Sequence, residues 1–87
     1  MTHAAIRNAI ETVKGVLADH HAGKLADGPA KALVRKTMAV TSFRGGTHVF
    51  RLAGIEGTAT SGDDHAVESW LRIARRRLEP KAMEPRG

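Results

Sequence analysis

The fold of this chain is decided by residues Phe43–Thr60, FRGGTHVFRLAGIEGTAT, and by the stretch Ser61–Leu78 that follows directly. The first stretch contains runs of β-prone side chains separated by glycines, and Gly45-Gly46 supplies the positive φ angles that a tight hairpin turn requires. A period of two residues begins near Met38. The sequence therefore predicts a three-stranded antiparallel meander with strands at Met38–Phe43, His48–Ala53 and Gly57–Thr60.

Val49 and Phe50 are neighbours in the second predicted strand, so they face opposite sides of the sheet. Two adjacent apolar side chains indicate either that part of each face is covered, or that one of them is exposed for a partner. The sequence leaves this choice open.

The last helix has the clearest signals. Ser61 is its predicted N-cap, Asp64 follows three residues later in a capping-box arrangement, and Asp63 and Asp64 both lie near the positive end of the helix dipole. Glu68 and Arg72 are spaced to form an i,i+4 ion pair. Helical spacing predicts a buried stripe of Val67, Trp70, Leu71, Ala74 and Leu78.

Two helices are predicted before the sheet. The first spans Thr2–His21, and Gly15 in its middle indicates either a close approach of another backbone, which we favour, or a weakened helix. Its buried side is predicted to contain Ile6, Ile10, Val13 and Leu17. The second helix has Asp27 as its cap and Pro29 in its first turn. Its apolar side is predicted to contain Ala30, Leu33, Val34 and Met38.

The resulting order of elements is α-α-β-β-β-α. This order predicts an α+β fold in which the helices pack on one face of a three-stranded antiparallel sheet. Residues 1–80 are assigned to a single domain, and residues 81–87 to a mobile C-terminal tail that follows Pro80.

The length of 87 residues limits the stability of such a domain. Chains this short bury only about 60–65% of their unfolded surface, so a partner or a homodimer would add stability to the thin aliphatic core. No cysteine is present, and neither a signal peptide nor a run of ~20 apolar residues is found. We therefore expect a soluble cytoplasmic protein that does not associate with membranes.

No group of residues has the spacing of a catalytic or cofactor site. Adjacent His20 and His21 point about 100° apart on a helix, and neither has a ligand at i+4. Gly54-Ile55-Glu56-Gly57 lacks the Lys-Ser/Thr ending of a phosphate-binding loop, and no serine lies in a Gly-x-Ser-x-Gly context. The sequence therefore predicts a protein that is not an enzyme and holds no metal or cofactor.

The charge balance is basic, with 14 Lys and Arg against 9 Asp and Glu. Arg72, Arg75 and Arg76 share one side of the last helix, where their planar guanidinium groups suit carboxylates and phosphates. The alternative is a solvated face stabilised by nearby acids and the helix dipole. Arg44 and Arg51 border the hairpin. They would extend a polyanion-facing side if they converge with a second basic group, Lys31, Arg35 and Lys36.

The residues Val49–Leu78, in the order strand, glycine turn, strand and helix, are similar in topology to the end of a double-stranded-RNA-binding domain. That family places a Lys-Lys pair at the start of the helix, and this chain has Asp63-Asp64 there. Two carboxylates at this place would repel phosphate, so the sequence departs from the family's duplex-RNA site.

A second resemblance is carried by Phe50–Gly62, FRLAGIEGTATSG, and by the Ala, Trp and Arg residues of the following helix. These residues resemble small proteins of bacteriophages and mobile elements in high-GC bacteria. Single-domain α/β proteins of this size and source look like the anti-CRISPR inhibitors. The resemblance implies a host CRISPR surveillance complex as the partner, with DNA recognition or nuclease recruitment blocked.

We interpret the chain as a non-enzymatic binding protein that occupies a protein surface, with an anti-CRISPR-like inhibitor as the sharper hypothesis. The alternative is a small basic DNA- or RNA-binding or regulatory protein that binds through phosphates. The predicted interface has Arg72, Arg75 and Arg76 at its charged rim and hairpin residues such as Arg44 and Phe50 nearer its centre. The predicted partner-binding residues are Arg44, Phe50, Arg51, Arg72, Arg75 and Arg76.

Overall fold

A computed structural model describes residues 3–78 of the chain. The elements are α1 (His3–His21), α2 (Pro29–Lys36), β1 (Val40–Arg44), β2 (Thr47–Leu52), β3 (Ile55–Ala59) and α3 (Asp63–Leu78). The predicted order α-α-β-β-β-α and the α+β class are confirmed. The predicted tail, residues 81–87, lies outside the described residues.

The three strands form one antiparallel sheet in the order β1-β2-β3. Gly45 and Gly46, both at positive φ, form the two-residue turn between β1 and β2. Ala53 and Gly54 are also at positive φ and join β2 to β3. Because this second turn needs only two residues, β3 begins at Ile55, two residues before the predicted start.

Helix α3 covers the inner face of the sheet. Phe50 pairs with Gly57 in the sheet, and Phe50 meets Trp70 of α3 edge to face, with ring centroids 6.1 Å apart. The indole Nε1 of Trp70 donates a hydrogen bond of 3.0 Å to the carbonyl oxygen of Leu52. This bond satisfies the polar atom of the largest buried side chain, so α3 is fixed to β2 by both packing and hydrogen bonding.

The remaining core is aliphatic, as the composition predicts. Helix α1 contributes Ile6, Ile10, Val13, Val16 and Leu17. Ala66, Val67 and Ala74 of α3 are also buried, whereas Leu71 and Leu78 of the predicted stripe are only partly buried. The predicted close approach at Gly15 is wrong, because Gly15 is exposed and no atom would lie within 4 Å of a Cβ added there.

The N-terminal ends of α2 and α3 differ from the predicted caps. Gly28 is the N-cap of α2, and Asp64 of α3 accepts a hydrogen bond of 3.3 Å from the Ala30 N–H. The predicted cap, Asp27, pairs instead with Arg35 at 2.9 Å. Helix α3 begins at Asp63, so Ser61 lies one residue too early to be its N-cap.

The C-terminal end of α2 also differs from the prediction. The helix ends at Lys36, where the hydroxyl of Thr37 donates to the Leu33 carbonyl and accepts from the Ala39 N–H. Met38 is therefore 89% exposed and does not join the apolar side of the helix.

Candidate functional site

A basic groove runs along the outer side of α3. The groove has a volume of about 340 Å³ and is lined by Glu68, Leu71, Arg72, Arg75 and Arg76. Residues three and four positions apart share one side of a helix, so the sequence of α3 by itself places these side chains together. The structure thus brings the three predicted arginines of this helix to one place, which we call the arginine groove.

The arginine groove is rich in positive charge that the described carboxylates leave unpaired. Within residues 3–78, no carboxylate forms an ion pair with Arg72, Arg75 or Arg76. The predicted pair between Glu68 and Arg72 is not formed, although Glu68 lines the same groove. Among residues 3–78, the planar forks of these arginines therefore have no carboxylate partner, and such forks suit the carboxylates or phosphates of another molecule.

The floor of the arginine groove is partly apolar. Leu71 packs against the core and is only partly buried, so part of its side chain remains in contact with solvent. Arg75 and Arg76 lie in the last turn of α3, where the negative end of the helix dipole favours cations, and Arg72 lies one turn earlier. A ligand that brings both carboxylates and an apolar group would match this combination.

The hairpin arginines lie elsewhere. Strand pairing places Arg44 and Arg51 on the outer face of the sheet, opposite to the face that α3 covers. Arg51 binds Glu56 through both Nη2 and Nε, at 2.7 and 3.1 Å. The hairpin arginines were predicted to share one interface with the arginines of α3, but the sheet lies between the two groups.

Phe50 is also not available for a partner. Its side chain is 0% exposed and packs beneath Trp70, so the prediction that Phe50 lies near the centre of an interface is wrong. Its neighbour Val49 lies on the outer face between Ser42 and Thr58 and is 9% exposed. Neither residue of the pair is exposed for a partner, so the alternative in which part of each face is covered is the one that the structure shows.

A second hollow, of about 400 Å³, lies where the N-terminal ends of α2 and α3 meet. Asp63 in this hollow lies 2.9 Å from Nδ1 of His48, and Asp64 caps α2. Ser61 and His65 form a hydrogen bond through Oγ and Nδ1. Asp63 and Asp64 therefore already bind other parts of the chain, and we assign this hollow to the junction between the two helices and not to a ligand site.

No metal centre is recognisable in the part of the chain that the structure describes, since no group of three or more His, Asp or Glu side chains is arranged to hold an ion. The same residues contain no helix that is long and apolar enough to cross a membrane.

Apolar side chains are exposed near β1, where the sequence predicted no apolar binding surface. Phe43 and Val40 are 61% and 57% exposed, and Met38 lies next to them in the sequence. The signal for this surface was present in the sequence VTSFR, which lacks the Lys or Pro residues that often protect an edge strand.

No family model matches the chain, and neither a curated protein nor a solved structure matches it significantly.

Proposed function

We propose that the protein is a non-enzymatic binding protein that holds an acidic surface of a partner protein in the arginine groove. The observation that carries this proposal is the presence of Arg72, Arg75 and Arg76 around Leu71 without an ion-pair partner among residues 3–78. Arginine and partly exposed leucine together suit a protein interface, in which charged contacts surround an apolar contact.

The distribution of the other bases favours a protein over a nucleic acid. A nucleic-acid backbone requires a continuous basic track, and its single-stranded form also requires aromatic stacking platforms. Here Arg51 is bound by Glu56 on the far face of the sheet, and Arg35 is bound by Asp27. No aromatic side chain lines the arginine groove. Binding to the phosphates of a nucleic acid is therefore the alternative that the experiments below must distinguish from a protein partner.

The sharper form of the proposal is an inhibitor similar to the anti-CRISPR proteins, which would occupy a surface of a host CRISPR surveillance complex. This form is supported by the sequence resemblance of Phe50–Gly62 and α3. It predicts that the partner is a subunit of the complex and that binding blocks DNA recognition or nuclease recruitment.

The proposal is tested by capture of partners with tagged protein from a nuclease-treated bacterial lysate, followed by mass spectrometry. The double variant Arg75→Glu/Arg76→Glu should lose the stoichiometric partner. The control Arg7→Glu/Lys24→Glu makes the same change in net charge at exposed positions outside the groove and should retain it. Loss of every partner after nuclease treatment would contradict a protein interface.

Salt dependence separates the two kinds of partner. Binding to duplex DNA through phosphates loses affinity log-linearly with salt, because each neutralised phosphate releases counterions. A protein interface around Leu71 should show a shallower slope. A steep slope that flattens in Arg75→Glu/Arg76→Glu would favour nucleic acid over the proposed protein partner.

A further inference from the structure

Strand β1 is an open edge of the sheet with exposed apolar side chains. It pairs with β2 on one side, and no strand among residues 3–78 pairs with its other side. The four large hydrophobic residues that are exposed in the described part of the chain belong to α2, to β1 or to the link between them: Val34, Met38, Val40 and Phe43. An exposed edge strand of this composition is a template for pairing with another strand.

The hairpin turn determines which backbone groups this edge presents. The turn has two residues, Gly45-Gly46, both with positive φ, so the pair Arg44 and Thr47 that closes it is a hydrogen-bonded pair. Hydrogen-bonded and non-hydrogen-bonded pairs then alternate along the hairpin.

This alternation directs Ser42 and Val40 toward β2 and leaves the N–H and C=O groups of Thr41 and Phe43 pointing outward. Within the described chain, no turn, loop or cap bond occupies these outward groups. The next outward N–H group, that of Ala39, already donates to the Thr37 hydroxyl. The backbone groups available for pairing at this edge are therefore those of Thr41 and Phe43, which flank Ser42.

We propose that two copies of this protein pair through β1 in an antiparallel arrangement, with the two-fold axis at Ser42. In this register Thr41 lies opposite Phe43 of the second copy, and the symmetry repeats the same pair on the other side of the axis. Each pair exchanges two backbone hydrogen bonds, and the two sheets join into one of six strands. This inference does not depend on the arginine groove or on its ligand.

The side chains at this edge are complementary to themselves. A hollow of about 190 Å³ lies beside β1, with an apolar part formed by Ala30, Val34 and the methyl group of Thr41 and a charged border formed by Lys31, Arg35 and Asp63. Phe43 lies on the same face of the strand as Thr41 and is 61% exposed. Its ring contacts the ring of His48 on one side, with the two ring centroids 4.7 Å apart. The two-fold register brings Phe43 of the second copy opposite Thr41, and therefore to this hollow. A projecting ring and a hollow two residues apart on one strand are the pattern that an isologous interface requires.

The charges of the strand permit the same arrangement. Arg44 lies at one end of β1, and in the antiparallel register the two copies of Arg44 are about 14 Å apart, beyond the screening distance of about 8 Å at physiological salt. A parallel pairing would place them side by side. A second copy therefore fits this edge in one orientation.

The first test measures molar mass by light scattering or analytical ultracentrifugation, from low micromolar to near-millimolar concentration. Mass should rise toward twice the 9.3 kDa of the chain. The variant Phe43→Asp should weaken association at least tenfold, whereas Met38→Asp, at a more exposed apolar residue outside the proposed pairs, should leave it unchanged. A monomer at every concentration would overturn the proposal.

The second test fixes the register. The chain contains no cysteine, so Ser42→Cys introduces a single thiol, which would face its own copy across the axis at a Cα separation of about 4.5 Å, within disulfide range. Mild oxidation should cross-link this variant rapidly. The control Arg44→Cys, with thiols about 14 Å apart, should not cross-link. Equal cross-linking of both variants, or of Arg44→Cys alone, would overturn the register and favour another occupant of the edge.

Discussion

Gly57 lies directly against the backbone of Trp70. A Cβ added to Gly57 would lie 2.5 Å from the carbonyl oxygen of Ala66 and 2.6 Å from the Cα of Trp70, and it would also collide with the Trp70 nitrogen. The absence of a side chain at this position allows α3 to approach β3 closely, which brings the indole ring over Phe50. The position of α3, and with it the orientation of the arginine groove, therefore depends on one glycine.

We expect Gly57→Ala to lower the free energy of unfolding by about 3 kcal/mol, because backbone atoms on both sides of the new methyl group cannot move without displacing α3. Urea denaturation followed by the fluorescence of Trp70, the single tryptophan of the chain, measures this change. A loss below about 1 kcal/mol would show that α3 can shift away from the sheet at little cost.

Gly15 is expected to behave in the opposite way. It lies in the exposed middle of α1, and an added Cβ would meet no atom within 4 Å. Gly15→Ala should raise the free energy of unfolding by about 1 kcal/mol, since alanine loses less backbone entropy than glycine when a helix forms. A lower midpoint in urea would indicate that the space beside Gly15 is occupied in solution, for example by a partner.

Asp64 belongs to α3 and should stabilise the N-terminal end of α2. Its Oδ1 accepts from the Ala30 N–H, and Gly28 leaves room for the carboxylate. We expect Asp64→Ala to cost about 1 kcal/mol, the usual effect of losing a cap, and to speed amide hydrogen exchange in α2. Asp63→Ala is the matched control, because it removes the contact with His48 and leaves this cap in place. Equal exchange in α2 for both variants would contradict the assignment.

The sequence was sufficient to predict the order of elements, because local signals determine it. Gly45-Gly46 sets the first turn, and the helical spacing of Ile6, Ile10 and Val13 sets the buried side of α1. The non-local features could not be read in the same way. Phe50 is buried because α3 docks at Gly57, a contact that no local period encodes.

The candidate site follows the same division. The grouping of Arg72, Arg75 and Arg76 was predictable from helical geometry alone, since one helix carries all three. Whether Arg44 and Arg51 join them depends on the packing of α3 against the sheet. Side chains alternate along a strand, so Arg44 and Arg51 share one face of the sheet. Only the docking of α3 determines that this face is the one that the helix leaves uncovered.

The arginine groove should contribute to binding and little to folding. Arg75→Gln/Arg76→Gln removes two cations, each of which the helix dipole stabilises by about 0.3–1 kcal/mol. The same change removes a repulsion of similar size between neighbouring arginines. We therefore expect the free energy of unfolding to change by less than about 1 kcal/mol, while affinity for the captured partner falls at least tenfold. Thermal denaturation and a binding titration on the same preparations measure the two effects. A large loss of stability with unchanged affinity would assign these arginines to the fold and move the binding surface elsewhere.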